Sequence, residues 1–308
     1  MRGKVDCFGR TDVGCVRESN QDQFLIADLR KSIEIHHSSL GYDKQTQFSG
    51  GSRAKLFIVA DGMGGYAGGE RASWMAVEGI VQYLLTNLHW PITCATSHES
   101  HFFKGLSSAL EFSQAQIRNA AELYPEQGKM GTTLTMAWVV WPTVYLIHVG
   151  DSRAYLYRDG QLQLLSHDQT LAQALADNGV IDPAEVDSHR YRNVLVSALG
   201  CTSNMEPLYG RHELRPNDKL MICSDGLTKH VPDERIAQIL GGDDQAESLC
   251  NSLVDDARDG GGTDNITAVL AQFLVQWSES KEAEFVEIDL EESLVDSLDN
   301  EPETIREE

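Results

Sequence analysis

LTMAWVVWPTVYLIHVGDSRAYLYRDGQLQLL, residues 134–165, decides the fold. Its apolar stretch from Leu134 to Val149 is too short for a typical membrane span and is broken at Trp141, Pro142 and Thr143. It reads as two strands folded back in a buried hairpin. A second reversal at Arg158-Asp159-Gly160 joins Ala154–Arg158 to Leu162–Leu165. Strands linked by such short turns are antiparallel, because a parallel pair needs a long crossover. A doubly wound parallel sheet is therefore set aside.

Outward from this stretch, β-prone runs recur at Gln23 to Ala27, Lys55 to Ala60, Lys219 to Cys223 and Asn265 to Phe273. Helical spacing is clearest over Glu70 to Leu88 and His101 to Leu123, with shorter helices predicted at Thr170 to Asn178, Asp233 to Leu240 and Gln245 to Ala257. Strands towards both ends and long helices between them predict an α+β layered sandwich, two antiparallel sheets with helices on their outer faces. No linker or repeat interrupts the apolar pattern before about residue 276, so residues 1–276 are expected to form one domain.

The 308 residues are 41% apolar and carry a net charge of −22, which disfavours nucleic acid or an anionic membrane as partner. The first residues lack the apolar core of a secretory signal, and the six cysteines form no CxxC pair. Reduced thiols in a cytoplasmic protein are expected. Thirteen acidic residues between Ser278 and Glu308 face only Lys281 and Arg306. Residues 277–308 thus read as a disordered acidic tail, serving either solubility or docking and autoinhibition.

Five aspartates stand where apolar strands start or stop: Asp22, Asp61, Asp151, Asp225 and Asp264. Taken singly, each reads as a turn-former or helix cap. Strand ends converge on one rim, however, and a cluster of carboxylates there would repel itself without cations. Oxygen donors suit Mg²⁺ or Mn²⁺, whereas Zn²⁺ prefers histidine and thiolate, and the spacing of an EF-hand Ca²⁺ loop is missing. Two such ions, about 3.5 to 4 Å apart, would activate water and clamp a phosphoryl group during in-line displacement. Arg17, five residues before Asp22, is either the guanidinium that grips that phosphate or an ordinary surface arginine. The glycines of DGMGG let the backbone approach an ion, and Gly62 could donate its carbonyl. Gly62, Gly64 and Ala67 also fit GxGxxA, but Asp61 would oppose a pyrophosphate, so a dinucleotide site is rejected.

The ordered phrases GCVRESNQDQF, FIVADGMGGYAGGERAS, MGTTLTMA, HVGDSRAYLYRDGQL, HDQT, RNVLVSALG, CSDGL and GGTDNITAVL resemble the PPM (type 2C) metal-dependent serine/threonine phosphatases, especially bacterial single-domain members. The resemblance covers roughly residues 5 to 275. It implies a four-layer αββα fold, a central antiparallel β-sandwich flanked by helices on both faces, and phosphorylated proteins as partners. It further implies that Asp61 bridges two Mn²⁺ or Mg²⁺ ions, Gly62 ligates one through its carbonyl, and Asp225 and Asp264 complete the second. Asp151 is implied, with Asp225, at a weaker third ion; Arg17 at the substrate phosphate; Asp22 orienting metal-bound water; and Asn265 and Thr133 supporting the ligands. The attacking group would be bridging hydroxide.

This chain departs from the family at three places. Met63 stands where many eukaryotic relatives have histidine, so the leaving alkoxide must take its proton elsewhere. Gln21 replaces a glutamate found in some members. Residues 29–53 form an expected long hairpin in which His36, His37 and Tyr42 read as surface. His167 to Asn193 corresponds to the family's flap beside the cleft, either scaffold or gate, with His189 and Arg192 as its candidate side chains. Alternatives within the fold are a non-catalytic phosphoprotein-binding regulator and a small-molecule phosphoesterase. A cysteine phosphatase is excluded because the residues six positions after Cys223 and Cys15 are Lys229 and Gln21, not arginine. A monomer is the expected state.

Overall fold

In the computed structural model, which describes residues 5–29, 32–35, 46–49, 54–64, 67–87, 99–125, 129–201 and 205–274, every described pairing of named strands is antiparallel. One sheet has the order β1 (Val5–Asp12), β13 (Ile266–Phe273), β12 (Lys219–Cys223), β9 (Arg153–Arg158), β10 (Gln161–Leu164). The other runs β11 (Leu208–Glu213), β8 (Thr143–Val149), β7 (Leu134–Val140), β5 (Ala54–Met63), β2 (Asp22–Leu29), with the short β6 (Gly131–Thr132) paired to the end of β5. A separate hairpin joins β3 (Ser32–Ile35) to β4 (Thr46–Ser49). The helices are α1 (Ala67–Asn87), α2 (Glu99–Leu123), α3 (Leu171–Asp177), α4 (Asp225–Thr228), α5 (Asp233–Leu240) and α6 (Ala246–Asp259).

Strand alternation shows how the layers stack. On β5, Phe57 and Val59 meet Ile222 of β12 and Val269 of β13 between the sheets, whereas Leu56, Ile58 and Ala60 face Ile80 of α1 and Leu110 of α2. On the far side Met221, Cys223, Ala268 and Leu270 pack against Ile236 of α5 and Leu253 of α6. The order is helices, sheet, sheet, helices. Long apolar runs usually mark parallel strands buried on both faces; here antiparallel strands carry them because helices cover both outer faces. All eight residues of β13 are buried accordingly. Burying each of its larger apolar side chains contributes about 1.5–3 kcal/mol.

The turns behave as their residues require. Between β9 and β10, Asp159 and Gly160 both sit at positive φ, 51° and 81°, the mirror-image turn whose twist suits a two-residue hairpin. The β7–β8 reversal carries a cis Trp141-Pro142 bond. Between α1 and α2, a Cβ on Gly79 would approach the Ser113 hydroxyl to 2.6 Å, so the missing side chain lets the helices close on each other.

Two edge elements escape the sequence pattern. β11 has mostly exposed residues, and β1 is half-buried throughout except at Thr11, so neither shows a clear apolar period. α1 starts at Ala67 rather than Glu70. The paired β3 and β4 agree with the hairpin expected over residues 29–53; His36, His37, Tyr42 and the tail from residue 277 lie outside the described residues. Cys7, Cys15, Cys201, Cys223 and Cys250 are all free thiols. Among the described residues no helix is long and apolar enough to cross a membrane.

Candidate active site

Asp22 and Asp61 are directly paired across β2 and β5. Asp22 is 2% exposed. Its Oδ2 accepts hydrogen bonds from Ser224 Oγ at 2.7 Å and Thr267 Oγ1 at 2.6 Å, hydroxyls supplied by the opposite sheet. Its Oδ1 is buried without a hydrogen-bond partner. Burial pushes the Asp22 carboxyl up to about 6, against the pull of the two hydroxyls.

The backbone of Asp61 is held on both sides. Its amide donates to Thr133 Oγ1 and its carbonyl accepts from the Thr133 amide and Thr132 Oγ1, each at 2.9 Å. Thr133 Oγ1 is in turn 2.8 Å from Ser152 Oγ. These bonds leave the carboxylate to project from a fixed point. Enclosure, then repulsion from Asp22, Asp225, Asp151 and Asp264, raises it well above the ordinary carboxylate range.

Gly62 follows, its amide donating to the Gln21 carbonyl at 3.1 Å. A Cβ there would collide with the carbonyl oxygens of Gln21 and Gly69, so only glycine lets these three backbones meet. Gly226 is similarly constrained: a Cβ would strike the Asn265 carbonyl.

From the second sheet come Asp225, which opens α4 directly after β12, and Asp264, just before β13. Lys229 lies between them, with Nζ 2.5 Å from Asp225 Oδ2 and 3.0 Å from Asp264 Oδ2. Arg17 grips the same Asp264 through Nε at 2.8 Å and a terminal nitrogen at 3.0 Å. Burial would raise Asp264, but Arg17 and Lys229 together hold it below the usual range. Asp225 is raised by burial despite Lys229, and its Oδ1 is buried without a partner. Asp151, in the β8–β9 turn, is pushed up to about 8 by burial and then by Asp225 and Asp168.

Asn265 fastens the loop that carries Arg17. Its Oδ1 accepts the Gln21 amide at 2.8 Å, while Nδ2 donates to the carbonyls of Val13 at 3.0 Å and Ser19 at 2.9 Å. Gly14, at φ +79°, turns the start of that loop.

A cleft of about 970 Å³ is lined by Arg17, Asp151, Asp225 and Asp264 together with Val186 and Arg192. The flap holding Arg192 contains α3 and a short turn at Pro183–Glu185 that Asp182 and Glu185 cap reciprocally. His189 instead packs its ring against Tyr191 and is not among the cleft-lining residues. Of the residues the sequence singled out for the site, Arg17, Asp151, Asp225, Asp264 and Arg192 line this cleft. Asp22, Asp61, Gly62, Thr133 and Asn265 do not line it but are tied to the same strand ends by the backbone and side-chain hydrogen bonds above. Sequence reasoning missed Ser224, Thr267 and Lys229. The first two look like ordinary strand-end hydroxyls, and only the four-residue spacing from Asp225 hinted at the third.

The donor set fits hard divalent cations: it is all oxygen, and two buried carboxylate oxygens have no partner. Among the described residues no three acidic, histidine or cysteine side chains already converge in ligating geometry; Lys229 and Arg17 occupy the carboxylates instead.

Residues 35–274 match the sequence model of the protein phosphatase 2C family, and the chain belongs to that family. Among its relatives, the serine/threonine protein phosphatase PstP of Mycobacterium tuberculosis is 36% identical over 218 residues, 71% of this chain but 40% of that protein. The chain therefore spans well under half the length of this relative. A putative protein phosphatase 2C-type protein of Streptococcus pyogenes is 32% identical over 261 residues, covering 85% of this chain and 94% of the relative. The crystal structure of the PstP catalytic domain in complex with two manganese ions superposes with a TM-score of 0.67 at 29% identity, over 88% of this chain and 99% of that one.

Proposed function

We propose that this chain is a metal-dependent protein serine/threonine phosphatase that hydrolyses phosphoserine and phosphothreonine. The observation that carries the reading is the gathering of Asp61, Asp225 and Asp264 from two sheets, with Asp22 and Arg17, close enough for the carboxylates to repel one another, with one buried oxygen each of Asp22 and Asp225 left without a hydrogen-bond partner. Two Mn²⁺ or Mg²⁺ ions, when bound, supply the Lewis acidity that makes water nucleophilic near neutral pH and neutralises charge on the phosphoryl oxygens. Asp61, the carbonyl of Gly62, Asp225 and Asp264 would hold these ions, and Asp151 with Asp225 would hold a weaker third.

The remaining roles belong to the chain itself. Arg17 binds the substrate phosphate through its planar guanidinium. Asp22, fixed at Oδ2 by Ser224 and Thr267, turns Oδ1 to accept a hydrogen bond from the attacking water. Thr133 and Asn265 hold Asp61 and the Arg17 loop in register. Met63 provides no proton, so the leaving alkoxide takes its proton from water or from another group in the cleft. Residues 1–276 form the catalytic unit, monomeric and cytoplasmic, and 277–308 an acidic appendage. The partners are phosphorylated proteins in signal transduction, with neither nucleic acid nor membrane favoured at a net charge of −22. The test is phosphate release from a phosphothreonine peptide: it should require Mn²⁺ or Mg²⁺, stop on chelation, and be lost in Asp61→Asn. Phosphopeptide binding without release under any divalent cation would favour a non-catalytic regulator.

A further inference from the structure

The ammonium of Lys229 stands where the site would otherwise need a cation. The i,i+4 geometry of α4 puts it there: the Lys229 amide donates to the Asp225 carbonyl at 2.9 Å, and the side chain folds back over the Asp225 carboxylate. From that point Nζ also reaches Asp264, 35 residues on. Asp264 is then doubly engaged, because Arg17 holds both of its oxygens. A carboxylate that donates a lone pair to an ion cannot keep every such hydrogen bond.

We propose that Lys229 is a built-in counter-cation that holds Asp225 and Asp264 in the ion-free protein and competes with the divalent ion those residues receive. The inference rests on reading Asp225 and Asp264 as ion ligands. A further observation supports it: among the described residues the site lacks preformed ligating geometry, as expected if an internal cation sets the carboxylate spacing. By linkage, whatever stabilises the ion-free form lowers ion affinity by the same factor. Lys229 therefore keeps the acidic cluster folded without metal and makes the site release its ion readily. Once displaced, its ammonium remains in the cleft that Arg17 lines.

The test is Mn²⁺ titration calorimetry on the full chain, paired with thermal melting in chelator, for wild type, Lys229→Met, Lys229→Gln and Lys229→Arg. Lys229→Met and Lys229→Gln should bind Mn²⁺ about tenfold or more tightly, as loss of one charge-assisted hydrogen bond of roughly 1.4 kcal/mol or more implies. They should melt earlier than wild type without metal and gain more on adding it. Lys229→Arg, which keeps the charge, should stay within about threefold of wild type by the same reasoning. If Lys229→Met does not fold without metal, Lys229→Gln, which keeps a hydrogen-bond donor, carries the comparison. Unchanged or weaker binding in both neutral variants overturns the inference, as does equal tightening in Lys229→Arg. Wild-type protein that takes up no Mn²⁺ overturns the ligand reading and this inference with it.

Discussion

Replacing Asn265 with alanine tests how the loop bearing Arg17 is held. Asn265 is 5% exposed and makes three side-chain hydrogen bonds to the backbone of residues 13, 19 and 21. Each such bond contributes about 0.5–1.5 kcal/mol net, and a buried partner left unsatisfied costs more. Asn265→Ala should therefore lose about 2–4 kcal/mol of stability, allowing for some water entry beside the half-exposed loop. With a urea slope of about 3 kcal/mol/M, the midpoint should fall by roughly 1 M. Catalysis reports the same event differently. Arg17 loses its orientation while Asp61 stays fixed by Thr133, so KM for a phosphopeptide should rise more than kcat falls. The assay is urea denaturation in chelator beside steady-state phosphate release in saturating Mn²⁺. A midpoint shift below about 0.2 M with unchanged KM would refute the stapling argument, since it would place the sum of three bonds near 0.5 kcal/mol.

Further predictions concern charge, space and pH. Arg17→Ala should raise KM for phosphopeptide about 10- to 100-fold, the worth of a charge-assisted bidentate contact, measured by initial rates. Gly226→Ala should abolish Mn²⁺-dependent activity and lower the melting temperature, because its Cβ meets the fixed Asn265 carbonyl; a wild-type melt would count against the packing account. His148, buried between Thr135 and the His167 carbonyl, is pushed down to about 4 from 6.5 by burial. A histidine lowered in this way favours the folded state fully above pH 6.5, and that advantage is lost as pH falls towards 4. The loss reaches about 3 kcal/mol. Asp22 and Asp151, raised by burial, act in the opposite sense, so the check is the difference in urea stability between wild type and His148→Gln across pH 7 to 4.

Much of this architecture was legible because its strands are bounded by strong turn chemistry. Asp159-Gly160 and Trp141-Pro142 set two hairpins, and the apolar runs of β5, β7, β8, β12 and β13 fall within two or three residues of their expected limits. The edge strands were not legible, since β11 pairs with β8 alone and leaves Leu208 and Tyr209 largely exposed. Aspartates at strand ends could be found by position, because any acid where a buried strand meets solvent stands out against apolar neighbours. Ser224 and Thr267 could not, as their importance lies in a partner more than 200 residues away. Lys229 was visible in the sequence but carried no meaning until α4 placed it above Asp225.

The two faces of the sandwich divide the acidic residues between them, with Asp22 and Asp61 on one and Asp225 and Asp264 on the other. The separation of the carboxylates is therefore gauged by how thickly Phe57, Val59, Ile222 and Val269 fill the space between the sheets. The interior behaves as a calliper. A methylene added or removed there, far from any substrate, changes the width of the jaws, and selection on metal use could act through residues that never touch a metal.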